Sequence, residues 1–137
     1  MFVVIATITY SGLFLAGRTL IWEVDGIAQH FPILLEFQRI LQHHPQQLFS
    51  WSWNLGLGAD QLTTFSYYVV GDPFNYLVAF VSRAYLEWAY QALILLRLYF
   101  VGLAFLGFSR QFKFKRISQL IGALTVSYTH LTLPTKA

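Results

Sequence analysis

The sequence predicts an all-α membrane protein with two transmembrane helices, a truncated third, and interfacial amphipathic or re-entrant helices in a long outer loop. Of its 137 residues, 56% are hydrophobic and 11% are charged. Soluble domains are about half apolar and about a quarter charged. The mean hydropathy is +0.53, and the apolar residues stand in long runs, which a soluble core does not require. Many Trp and Tyr residues lie near the ends of these runs, as they do at membrane interfaces.

The charges are segregated along the chain. Four of the nine basic residues lie in Arg110–Arg116, and all six acidic residues lie between Glu23 and Glu87. This distribution indicates segregation across a membrane rather than a basic face, so we expect no nucleic-acid partner. The chain contains no cysteine, which excludes a disulfide framework, a thiol nucleophile and a thiolate metal site.

The first apolar run, residues 2–22, predicts a transmembrane helix. As a helix it would rise about 31 Å, enough to cross the hydrocarbon layer. It lacks the basic start of a signal peptide and is longer than a usual signal-peptide core. Arg18 lies one turn before its end, where it can extend toward lipid headgroups. Because the run begins almost at Met1, we expect that a short cytoplasmic start is missing.

The second apolar run, residues 85–108, predicts a helix of about 36 Å. Arg97 lies near its middle, where an arginine costs about 2.5–3.5 kcal/mol on insertion scales. We therefore expect Arg97 to face protein, water or an anion rather than lipid tails.

The basic segment at residues 109–116 sets the predicted orientation, because short loops rich in Lys and Arg stay in the cytoplasm. The loop at residues 23–84 is then extracytoplasmic. It begins with an amphipathic helix in the membrane interface, with Ile27, Phe31, Leu34, Leu35 and Leu41 at helical spacing, and Phe37 and Ile40 more loosely so. Two short apolar pieces, broken at Gly71–Pro73, predict paired interfacial or re-entrant helices.

The end of the chain departs from the membrane pattern. Residues 117–125 predict the start of a third transmembrane helix, after which the helical pattern ends in a β-branched, polar stretch. The string "VSYTHLTLPT" resembles the translation of a transposase adaptor used in preparing sequencing libraries. We therefore expect residues 126–137 to be artefactual and the natural protein to be much longer. An uninterrupted gene sequence, obtained with long reads, tests this.

An ordered set of motifs carries a resemblance to a known family. An acid follows the first span, then come Gln29 and Pro32, the strings "FSWSWNLGLGAD" and "YYVVGDPFNYL", and a basic residue in the next span. Over Gly17 to Phe112 the chain resembles the N-terminal part of YfhO-type bacterial membrane proteins, polytopic members of the GT-C glycosyltransferase class. Members of that family are several times longer than this chain.

The resemblance implies a multi-pass enzyme of the bacterial plasma membrane. Such an enzyme takes a sugar from a polyprenyl-phosphate carrier and places it on an extracytoplasmic acceptor, such as a cell-wall or lipoteichoic polymer. Its partners are thus the lipid bilayer, the lipid-linked sugar donor and the envelope polymer. We expect the two-span fragment alone to be inactive, because it cannot enclose a lipid carrier.

The resemblance also implies site residues. GT-C enzymes carry an acidic motif directly after the first span, which matches Glu23 and Asp25. A carboxylate here could take the proton from the acceptor hydroxyl, or hold a divalent metal ion at the leaving phosphate. Asp25 could instead simply cap the helix that follows. Gln29 could orient a substrate hydroxyl, and Arg97 could hold the donor phosphate or form a structural ion pair.

Other polar residues have simpler expectations. His30 is expected to be an interfacial side chain, and His43 and His44 to be solvated, because adjacent histidines on a helix diverge. The family motif marks a set of loop-shaping residues, namely Tyr67, Tyr68, Asp72, Pro73 and Asn75. Two alternatives to an enzyme remain. In a transporter or channel, Arg97 and the broken segments would line a path, and in a non-catalytic scaffold the outer loop would bind a partner.

Overall fold

A computed structural model describes residues 2–132, with the side chains of residues 2, 3, 9, 13, 14 and 128–132 left aside. The chain divides into two compact units. One unit, Ile21–Leu93, contains the predicted outer loop and is called the loop unit. The segments on either side of it form the second, the flanking unit.

The first helix, α1, is shorter than predicted. It spans Phe2–Leu15, which corresponds to about 21 Å of rise, whereas the sequence predicted a helix through residue 22. Gly17 adopts a left-handed backbone with φ of +66°, a conformation in which glycine commonly follows a helix end. Arg18, expected within the last turn of this helix, therefore lies beyond its end.

The predicted second span lies within one long helix. A short 3-10 turn at Arg83–Tyr85 leads into α4, Leu86–Gln111. Among residues 2–132, Arg83–Gln111 is the one helical stretch long and apolar enough to cross a membrane, judged by length and composition. Only 22% of its apolar window is buried inside the protein, which is unlike the core helix of a soluble domain. Side chains on this helix are therefore available to lipid or to other helices.

A tight turn in the basic segment connects α4 to α5, Arg116–Thr132. Helix α5 continues past residue 125, where we expected the helical pattern to end. Thr125 Oγ1 donates to the Ile121 carbonyl at 2.9 Å, and Ser127 Oγ donates to the Ala123 carbonyl at 2.8 Å. These hydroxyls are thus satisfied within the helix. Ser127 Oγ also contacts the Leu98 carbonyl of α4 at 3.1 Å, which joins the two helices.

The loop unit consists of short elements around one longer helix. A π-helical turn, Gly26–His30, runs directly into α2, Phe31–His43. A 3-10 turn at Pro45–Phe49 and a two-stranded antiparallel hairpin follow, with β1 at Trp51–Ser52 and β2 at Ala59–Asp60. Then come α3, Gln61–Phe65, a second π-helical turn, Ser66–Val70, and a 3-10 helix, Pro73–Phe80. The break between the last two falls at Gly71–Asp72, where the sequence predicted it.

The inward face of α2 agrees with the predicted one in part and is centred on the residues assigned to it only loosely. Phe37 and Ile40 are fully buried together with Leu34, which was predicted to lie on the apolar face, whereas Ile27, in the turn before α2, is 59% exposed. Burial of each such large apolar side chain contributes about 1.5–3 kcal/mol. The inward face is set by partners distant in sequence, because the Phe37 ring lies edge-on to Phe65 at a centroid distance of 6.2 Å.

Gln38 is a polar side chain buried in this core. Gln38 is 1% exposed, and its Nε2 donates to the carbonyls of Val78 and Val81 at 3.1 and 2.8 Å. One turn later, Gln42 Nε2 donates to the carbonyls of Ala79 and Val81, both at 3.0 Å. The two glutamines therefore tie α2 to the end of the 3-10 helix.

Candidate functional site

The segment Trp22–Gly26 turns the chain sharply before α2. Val24 has a φ of +66°, a left-handed conformation that is an outlier for a β-branched residue. The Trp22 indole lies directly against Gly26, since a Cβ atom built on Gly26 would lie 1.7 Å from Trp22 Cδ1. Position 26 therefore requires glycine for this packing, and the bend carries backbone strain of the kind found at functional sites.

Asp25 stands at the tip of this bend with its side chain exposed. It has helical backbone angles and makes no capping hydrogen bond to the turn that follows. The alternative that Asp25 simply caps a helix is therefore wrong in this structure. Its Oδ1 instead accepts a hydrogen bond from Gln29 Nε2 at 3.4 Å.

Gln29 connects Asp25 to a distant part of the loop unit. Gln29 Oε1 accepts a hydrogen bond from the Tyr68 hydroxyl at 2.8 Å, although these two residues are 39 positions apart. The hydroxyl thus orients the amide, and the amide N–H orients the carboxylate. The structure brings together two residues assigned to the site from sequence, Asp25 and Gln29, with Tyr68, which the sequence suggested only as a loop-shaping residue.

Both sides of this chain of hydrogen bonds come from π-helical turns. In the first, the Phe31 N–H bonds to the Gly26 carbonyl. In the second, the Gly71 N–H bonds to the Ser66 carbonyl at 3.3 Å. Such turns are rare and are often found at functional sites, because the extra residue redirects the side chains around it.

His30, expected only to be an interfacial side chain, contacts two aromatic rings of the loop unit. Its ring lies 5.5 Å from that of Trp22 and 5.2 Å from that of Tyr68, edge-on to the latter. Burial lowers the pKa of His30 below its usual 6.5, and the nearby Asp25 carboxylate opposes this only in part. His30 is therefore neutral at pH 7. Its position next to Gln29 in "DGIAQH" was the available signal, but the aromatic partners could not be identified from sequence.

The remaining predicted residues lie in different surroundings. Glu23 is exposed, and no hydrogen bond or ion pair links it to Asp25 within the described part of the chain. Tyr67 packs edge-on against Tyr68 with ring centroids 4.9 Å apart. Arg97 lies near the middle of α4, half-buried, in the flanking unit.

The "GDPFN" segment forms a compact corner. The Asp72 carboxylate accepts the Phe74 N–H at 2.9 Å, and Pro73 is the first residue of the 3-10 helix. Asn75 is buried and donates from Nδ2 to the Val69 carbonyl at 3.1 Å. These contacts determine where the second π-helical turn ends.

The structure also bears on a possible metal ion. Among residues 2–132, no group of three or more His, Asp or Glu side chains lies close enough together to hold one. The ring centroids of His43 and His44 are 6.4 Å apart, and both residues are exposed.

Comparison with known protein families identifies the family of this chain. The family model described as "Bacterial membrane protein YfhO" matches residues 1–134. No curated protein and no solved structure matches the chain. The chain belongs to the YfhO family of bacterial membrane proteins. The match extends into residues 126–137, and the artefactual origin of that segment stays a prediction.

Proposed function

We propose that this YfhO-family protein is a GT-C-class glycosyltransferase that moves a sugar from a polyprenyl-phosphate carrier to an extracytoplasmic envelope polymer. The observation that supports this proposal most directly is the exposure and orientation of the Asp25 carboxylate. Its carboxylate is exposed, caps no helix, and is oriented through Gln29 by the Tyr68 hydroxyl. A side chain held in this way suits proton transfer better than a structural role.

In the proposed reaction, Asp25 Oδ2 takes the proton from the acceptor hydroxyl. The hydroxyl oxygen then forms a bond to the anomeric carbon of the donor sugar. The bond from that carbon to the phosphate oxygen breaks, and the electron pair leaves with the polyprenyl phosphate. Gln29 holds Oδ1, so that Oδ2 is presented to the acceptor, and Arg97 is the proposed contact for the donor phosphate.

Gln29, Tyr68 and His30 act in this proposal as positioning residues. The neutral His30 ring packs between Trp22 and Tyr68 and so holds the tyrosine hydroxyl on Gln29. Glu23 is a weaker candidate for the base, because nothing described in the structure orients its carboxylate.

The test uses the product of the uninterrupted gene in membrane vesicles, with a radiolabelled polyprenyl-phosphate sugar. The readout is label lost from the lipid extract and gained by the polymer fraction. We expect Asp25→Asn to lower the transfer rate about 100-fold or more, which is the usual contribution of a general base. Tyr68→Phe should lower it less, because the carboxylate remains.

Two further variants serve as controls. Glu87→Gln removes another exposed acid, in the first turn of α4, and should leave transfer unchanged. Glu23→Gln separates the two candidate acids. Transfer that survives Asp25→Asn but is lost in Glu23→Gln would move the role to Glu23. Transfer that survives both would overturn the proposed mechanism.

A further inference from the structure

A cavity of about 210 Å³ lies within the loop unit, apart from the Asp25 cluster. It is lined by Pro32, Ile33 and Glu36 from the first turns of α2, by residues of the β1–β2 hairpin, and by Gln61 at the start of α3. Pockets for drug-sized ligands measure about 300–1,000 Å³. A cavity of this size therefore suits a single ring-sized group.

Gln61 is the unusual residue of this cavity. It is 5% exposed, and its side-chain Oε1 is buried and accepts no hydrogen bond from any residue in the described part of the chain. Buried polar atoms are nearly always partnered, and an unpartnered acceptor lowers stability. The arrangement is explained if a ligand supplies the missing O–H or N–H donor.

The other polar groups of the cavity limit the chemistry of that ligand. The Glu36 carboxylate is held by Arg39, whose Nε donates to Oε2 at 2.9 Å. This hydrogen bond lowers the pKa of Glu36, which stays ionised at neutral pH. Glu36 and Arg39 form an ion pair, so neither an anion nor a cation would meet an uncompensated charge of opposite sign there.

The remaining lining groups suit a ring with both polar and apolar faces. Ser52 and Asn54 offer a hydroxyl and an amide, which can both donate and accept. Pro32, Ile33 and Leu55 provide apolar surface beside them. Hydroxyl groups at the edge of a sugar ring and C–H groups on its face match such a lining.

We propose that this cavity is a subsite for one neutral sugar ring, with Gln61 Oε1 and the Glu36 carboxylate accepting hydrogen bonds from its hydroxyls. The assignment of this ring to the acceptor polymer rests on the proposed transferase function. The binding itself does not, because it requires neither the lipid-linked donor nor Asp25.

The experiment measures saccharide binding directly. The product of the uninterrupted gene is placed in lipid nanodiscs, which avoids detergents with sugar headgroups. Saturation-transfer NMR is recorded with methyl glucoside and methyl galactoside, and inorganic phosphate is titrated as a charged comparison. We expect saturation transfer from at least one glycoside, and no competition by phosphate.

Two Gln→Met substitutions, one in the cavity and one as a control, test whether the glycoside binds at Gln61. Gln61→Met removes the unpartnered acceptor at similar volume, and should weaken glycoside binding at least about tenfold, the equivalent of one lost hydrogen bond. It should also keep or raise Tm, so that lost binding cannot be attributed to unfolding. Gln46→Met changes an exposed glutamine of the same unit and should bind as the unaltered protein does.

The outcomes separate this proposal from the previous one. Absence of saturation transfer from both glycosides, or equal binding by Gln61→Met and the unaltered protein, overturns the subsite and points to a water molecule as the partner of Gln61. A Tm that falls in Gln61→Met overturns the claim that Oε1 lacks a partner. Glycoside binding that persists in Asp25→Asn, whether or not transfer is lost, supports a subsite independent of Asp25.

Discussion

The buried amide of Gln38 offers a quantitative test of the loop unit. Its Nε2 donates to two carbonyls that also receive other donors, since Val78 O accepts the Val81 N–H at 3.1 Å and Val81 O accepts from Gln42. Gln38→Met removes two hydrogen bonds without leaving either carbonyl unpartnered. At about 0.5–1.5 kcal/mol each, we expect a loss of about 1–3 kcal/mol in the free energy of unfolding.

Gln38→Glu should cost more, and its cost should depend on pH. An ionised carboxylate would place a negative oxygen against two carbonyl oxygens in a site that is 1% exposed. Burial and the lack of donors raise the folded-state pKa of the introduced carboxyl above about 4.3. Stability is then highest below the unfolded-state pKa and is lost as pH rises through the folded-state pKa. A shift of about 3 pKa units corresponds to about 4 kcal/mol.

The assay is thermal unfolding in nanodiscs, followed by tryptophan fluorescence between pH 4 and pH 8. Gln42→Glu is the matched control, because Gln42 makes the same kind of contact at an exposed position one turn away. Water can solvate its carboxylate, so we expect a cost of about 1 kcal/mol or less, with little change across that range. Equal pH dependence in the two variants would refute the inward placement of Gln38.

Two further predictions concern the bend at the site. Gly26→Ala should destabilise the protein by about 1–3 kcal/mol, because the added Cβ would overlap Trp22 Cδ1. Gly12→Ala is the control and should not destabilise it, because nothing lies within 4 Å of a Cβ at that position. Equal unfolding curves for the two variants would contradict this prediction. For His30, whose folded-state pKa is lowered, stability should fall as pH decreases from 7 through 6.5 to that pKa. His30→Gln should flatten this slope in the same unfolding assay, and an unchanged slope would show that another group causes it.

Local sequence patterns predicted the elements that local forces determine. The apolar run of α4 and the break at Gly71–Asp72 follow from composition and turn chemistry, and both lie where the sequence indicated. The end of α1 could not be placed in this way. The apolar run continues to Trp22, and only the left-handed Gly17 shows that the helix has stopped.

Contacts between segments that are distant in the chain could not be predicted from a single sequence. The buried face of α2 depends on Phe65 and Val78. Hydropathy alone could not predict that the elements carrying these two residues pack against α2. For the same reason Asp25 and Gln29 were found as neighbours one turn apart, whereas Tyr68 and His30 were not assigned to the site. Helical periodicity finds pairs within one helix, but not a hydroxyl 39 residues away.

The geometry around Asp25 favours a chemical role over a structural one. A residue needed only to begin a helix would accept hydrogen bonds from backbone N–H groups with its carboxylate, as Asp60 and Asp72 do in this protein. Asp25 does not, and its neighbours supply the orientation that a cap would otherwise supply. The left-handed backbone of Val24 lowers stability, and strain of this kind is found most often at functional sites. The bend, closed by the contact of Trp22 with Gly26, leaves the carboxylate exposed at its tip, where the proposed acceptor hydroxyl would meet it.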